Sequence, residues 1–146
     1  MNFRQKWPDS KNASSILEAA RKDMDFTLTI QPSMESGPTI VRNIYECFRM
    51  LGEALLIAEG IDTEDHVTKI RALMKLHVKT DRPVNIIDNL RILRHKMNYY
   101  GYRPGLPEIN DTISMAKSLF EPLAYAVEKK INNPTTRPGF PWPSSR

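Results

Sequence analysis

The sequence has little of what small extracellular or metal-built domains rely on. Cys47 is its one cysteine among 146 residues. That excludes an internal disulfide framework and any multi-cysteine zinc site. Long apolar runs are also missing. The longest aliphatic stretch is Ala54-Leu55-Leu56-Ile57-Ala58, far short of the roughly 20 residues a membrane span needs. The first residues, MNFRQKWPDS, lack the apolar core of a secretory signal, so the expectation is a cytoplasmic protein with no membrane association. The three histidines, His66, His77 and His95, are scattered and have no paired carboxylates at ligand spacing, so no metal site and no cofactor is predicted. Glycine-rich phosphate loops, nucleophile elbows and zinc-protease patterns are absent as well.

What is present is an ordinary globular composition. Apolar residues make up 40% and charged residues 26%, and the length suits one domain able to bury a core without covalent staples. The net charge is +4, which permits an anionic partner without requiring one.

Apolar spacings of three and four predict an all-α, up-and-down bundle of about five helices with short loops. The first runs from about Asn12 to Leu28, capped by Ser10 or Asn12 and stopped before Pro32. The second lies between Pro38 and Gly60, with a stripe of Ile40, Val41, Ile44, Tyr45, Phe48, Leu51, Leu55 and Ala58 broad enough for a central helix. Cys47 reads as a small packed group within it. A third helix, capped by Asp62 or Thr63, runs to about Val78 with His77 on its apolar period. A fourth spans Pro83 to Tyr99 or Tyr100. The fifth spans Pro107 to Ile131, with a kink expected at Pro122. No strand pattern stands out. The domain plan is an N-terminal arm over 1–11, the bundle over 12–132, and a Pro-rich C-terminal tail over 133–146. The tail reads as disordered or polyproline-like, with Phe140 and Trp142 as candidate anchors.

Chemistry concentrates on the fourth helix. At about 100° per residue, Arg91, Arg94, His95 and Asn98 share one arc, while Leu90, Leu93 and Met97 lie opposite. Tyr102 would join the polar arc if the helix continued past Gly101. One reading is an ordinary solvated basic face. The other is an anion site: guanidinium forks match phosphate, Asn and His add hydrogen bonds, and Tyr stacks on a base. Asp88 is one turn from Arg91 and is placed to orient it.

Over roughly residues 12–131 the order of segments resembles the HEPN family, an all-α bundle. The resemblance is carried by Ser14–Met24 in the first helix, Tyr45–Ile61 in the second, His66 at the start of the next, and Leu90–Tyr102 followed by an apolar final helix. It implies a homodimer whose fourth-helix polar faces meet in a cleft, with RNA or nucleotide as ligand. It also implies a toxin–antitoxin setting, with a small nucleotidyltransferase or another antitoxin as partner. His66 is then either a locally bonded helix-start residue or part of the cleft lining. Many members are metal-independent ribonucleases with an arginine, four to six residues, then a histidine. Arg94 matches that arginine, but Tyr99, Tyr100 and Gly101 stand where the histidine belongs. A tyrosine, with an ordinary pKa near 10, is a poor proton shuttle at neutral pH. Arg71 and His77 have the motif spacing but sit on the wrong helix.

Three functions follow from this reading. The first is a homodimer that binds RNA or nucleotide through Arg91, Arg94, His95, Asn98 and Tyr102. The second is a ribonuclease with a variant site pairing Arg94 with Asn98, Tyr99 or His95. The third is a purely structural interaction module.

Overall fold

A computed structural model of the chain describes residues 3–133; the expected tail, with Phe140 and Trp142, lies outside these residues from 134 on. The elements are β1 (Phe3–Gln5), α1 (Ser10–Thr27), α2 (Gly37–Ala58), β2 (Ile61–Thr63), α3 (His66–Met74), α4 (Ile87–Tyr100) and α5 (Leu106–Asn132). A single 3-10 turn at Val84–Ile86 precedes α4. The fold is five helices packed together, as the apolar spacing predicts. None of the described helices is long and apolar enough to cross a membrane.

α2 is the centre, packed against each of the other four helices. Its apolar stripe is buried throughout, and the Phe48 ring meets Phe120 of α5 edge-on at 5.6 Å. Two glycines set how closely neighbours approach. A Cβ on Gly37 would stand 2.1 Å from Ile109 Cδ1 of α5, and one on Gly52 would stand 2.0 Å from the Lys69 carbonyl oxygen of α3. The second contact is with backbone, so α3 can lie this close only because residue 52 has no side chain.

Several boundaries differ from the sequence reading, each for a local reason. α1 begins at Ser10, because the Asp9 carboxylate accepts the Asn12 N–H at 3.0 Å and caps the helix ahead of Ser10 and Asn12. Asp62 and Thr63 do not cap α3. They belong to β2, which pairs antiparallel with β1 in the register Arg4↔Asp62. Three-residue strands are too short to show alternation, which is why the pattern is silent about them. Gly60 takes the predicted left-handed conformation, φ 79°, and its carbonyl accepts the Lys6 N–H at 2.6 Å, which ties the N-terminal strand to the end of α2. The cap of α3 is Asp65, whose carboxylate accepts from Val67 N–H and from the Thr68 hydroxyl.

α3 ends at Met74, short of Val78. Leu76 and Val78 still pack on the core from the connecting segment, so the apolar period outlasts the helix that suggested it. His77 is therefore exposed rather than packed. Pro83 stands extended before the 3-10 turn and does not open α4. Gly101 closes α4 at φ 65°, and the Tyr102 N–H reaches back to the Lys96 carbonyl. α5 runs as one element through Pro122.

Candidate functional site

The polar residues of α2 recur with helical spacing: Arg42, Tyr45, Glu46, Arg49, Glu53. Those of α4 do the same: Arg91, Arg94, Asn98. The two stripes face one another in antiparallel order. Arg42 Nε donates to Asn98 Oδ1 at 2.8 Å, and one turn along, the Arg94 guanidinium lies 4.9 Å from the centre of the Tyr45 ring. α3 closes the far end. The His66 ring lies 6.5 Å from Tyr45, and Lys69 Nζ is 3.4 Å from Glu53 Oε1. The result is a polar seam along α2, α3 and α4.

Within the seam most charges are spent on each other. Arg49, with only 13% of its side chain exposed, bonds both Glu46 and Glu53, the latter at 2.6 Å. Lys69 shares Glu53. Arg91 Nε donates to Asp88 Oδ1 at 2.8 Å, the pairing expected from their spacing, and this bond holds the Asp88 carboxyl below its ordinary range. Among the described residues, Arg94 and Arg42 have no carboxylate at ion-pair distance. The seam thus presents two guanidiniums whose charge is not locally balanced, one of them fixed against an aromatic ring.

Burial and the neighbouring charges together set the titratable groups of the seam. Burial, then the positive charges of Arg49, Lys69 and Arg94, push the His66 imidazole below its ordinary value, with Glu46 opposing. Glu46 is held low chiefly by its hydrogen bond from Arg49. Burial raises the Tyr45 phenol, against the pull of Arg94, Arg91 and Arg49. At neutral pH the seam therefore holds a neutral imidazole, a neutral phenol and a stacked guanidinium. Such a set can bind an anion, donate hydrogen bonds to it, and accept or return a proton.

The five residues singled out in the sequence divide. Arg91, Arg94 and Asn98 lie on the seam. His95 points to the outer face, where its ring stacks with Tyr99 at 4.6 Å and meets Tyr100 at 6.0 Å. Tyr102 turns away: its hydroxyl donates to Glu108 Oε1 at 2.7 Å in the first turn of α5, and Lys96 Nζ sits 4.2 Å from its ring centre. The sequence reading passed over Arg42, Glu46 and Arg49, and it counted Tyr45 only as core. Their signal was available as the second periodic stripe on α2, hidden by the stronger apolar one.

Elsewhere the chemistry is quiet. Cys47 lies beside a cavity of about 270 Å³ between α1 and α2, also lined by Asp23, Phe26, Thr27, Asn43 and Glu46. Burial pushes its thiol up to about 12, so it packs as an apolar group. Among the described residues no group of three or more His, Cys, Asp or Glu is placed to hold a metal ion. Comparison with family models, curated proteins and solved structures returns no match for this chain.

Proposed function

We propose that the chain is a HEPN-like homodimer that binds RNA or nucleotide through the α2–α4 seam, within a toxin–antitoxin or nucleotidyltransferase pair. The observation that carries this reading is Arg94, a guanidinium stacked on Tyr45 with no carboxylate of its own, in a seam whose acids are already taken. A phosphate placed there meets a fork of N–H donors oriented in advance, and Arg42 and Asn98 extend the contact along the backbone of a strand. The dimer and the paired protein come from the family resemblance. Two seams facing one another would set cation against cation, which suits a cleft occupied by a polyanion.

The test is binding of a labelled single-stranded RNA, and of a mononucleotide, across a salt series. Arg94→Ala should weaken binding about ten- to a hundredfold, the scale of one charged hydrogen bond, and affinity should fall with salt. Unchanged affinity in Arg94→Ala, or indifference to salt, would remove the reading.

A ribonuclease is the second reading, and one observation favours it. His66 supplies, from α3, the neutral imidazole that α4 lacks after Arg94. RNA cleavage without added metal ions, lost in His66→Ala with RNA binding kept, would establish it. Wild-type protein that binds RNA without cleaving it would dismiss it.

A further inference from the structure

We propose that the last two turns of α4 form a stacking ledge that makes this RNA site select single strands over duplex. The inference rests on the phosphate-binding reading above and adds the class of nucleic acid. Tyr99 is 70% exposed and Tyr100 77%, the two most exposed large hydrophobic side chains among the described residues. They are not splayed at random. The His95 ring lies 4.6 Å from Tyr99, tilted by 38°, and 6.0 Å from Tyr100, nearly edge-on. The imidazole packs against the Tyr99 ring, which keeps most of its surface in solvent. Asn98 and Arg94, the seam residues, alternate along the helix with the ledge residues Tyr99 and His95. Phosphate donors and ring faces therefore sit side by side on the same two turns.

Along the helix that carries the ledge the charge has one sign. From Asn89 to Arg103 there is no acidic residue, while Arg91, Arg94, Lys96 and Arg103 are all cationic. This decides between the two occupants that an exposed aromatic surface suits. A second copy laid directly on the ledge, with no polyanion between the two, would bring each Lys96 against its own image. A nucleic-acid strand brings a phosphate for each base, so that charge and ring contacts are satisfied together. Only an unpaired strand fits, because base faces in an A-form duplex are buried against their neighbours. Tyr102 is no part of the ledge, since its hydroxyl is held by Glu108 and Lys96 lies over its ring.

The experiment compares single-stranded and duplex RNA of equal length on the full chain, with Tyr99→Ala, Tyr99→Phe and Arg94→Ala beside the wild type and sedimentation of each variant. The wild type should prefer the single strand. Tyr99→Ala should lose about five- to a hundredfold in single-strand affinity, the range for one lost base–aromatic stack, and leave duplex affinity unchanged. Tyr99→Phe should bind as the wild type does. Equal wild-type affinity for both RNAs, or a silent Tyr99→Ala beside a weakened Arg94→Ala, overturns the ledge and leaves the phosphate site standing. Dissociation of a dimer by Tyr99→Ala overturns it in favour of a second copy on this face. A silent Arg94→Ala brings down the phosphate reading itself, whatever Tyr99 does.

Discussion

The two sides of α2 share an apolar core but differ in what is added to it. Toward α5 the helix meets its neighbour through rings and aliphatic groups: Phe48 against Phe120, and the bare backbone of Gly37 against Ile109. Toward α3 and α4 it packs against buried Ile70, Leu73, Leu90, Leu93 and Met97 as well, and adds polar contacts: Arg42 to Asn98, Tyr45 to Arg94, and Glu53 to Lys69. The first side depends on area and packing, where no single group carries a charge that a ligand could read. The second adds polar pairing to packing, and a guanidinium such as Arg94, with no carboxylate at ion-pair distance, is a chemical signal more than a structural one. Stability and binding should therefore separate cleanly between the two sides.

The strongest way to break that comparison is Phe48→Ala. The ring is fully buried, and its loss should cost about 3–5 kcal/mol, the usual effect of emptying an aromatic site in a core. Urea denaturation reads this as a lower midpoint, while the fraction that remains folded should bind RNA as before. A loss below about 1 kcal/mol would mean that α5 does not rest on this contact. Arg94→Ala tests the other side. It removes one partly buried stacking contact, worth about 0.5–2 kcal/mol, and should move the midpoint less than Phe48→Ala does while it weakens RNA binding. If Arg94→Ala unfolds the protein, the seam is structural and the division between the sides fails.

The sequence carried the apolar side far better than the polar one. Burial of Ile40, Ile44, Phe48, Leu51 and Leu55 follows from spacing alone, because a helix must turn those residues inward wherever its neighbours lie. The seam is different. The wheel of α4 put Arg91, Arg94, His95 and Asn98 in one arc, yet the structure splits that arc: Asn98 reaches Arg42 on α2 while His95 joins Tyr99. A helical wheel gives angles about one axis and says nothing of which neighbour stands at each angle. Tyr102 shows the same limit. Its course depends on where α5 starts, because Glu108 holds its hydroxyl. The β1–β2 ribbon escaped for another reason, since its pairing is made by backbone atoms that any side chains would allow.

The smallest expected effect belongs to His66, where the two sides differ in their response to pH. Phe48 and the Phe120 ring it meets carry no titratable group. The His66 imidazole is held below its ordinary value by burial and by the cations Arg49, Lys69 and Arg94. As pH falls through the ordinary histidine value of about 6.5, the unfolded chain takes up the proton before the folded one does. Stability should then be level above that range and decline as pH drops through it, until the folded imidazole is protonated too. His66→Gln should flatten this part of the profile. Glu46 and Asp88 titrate low because arginines hold them, so their contribution is present above the ordinary carboxylate range and is lost at more acidic pH, in a separate window. An anion bound at Arg94 reverses the balance around the imidazole. NMR titration of the His66 ring should show its pKa move up when nucleotide is added, and an unmoved His66 in the presence of bound nucleotide would place the anion somewhere other than the seam.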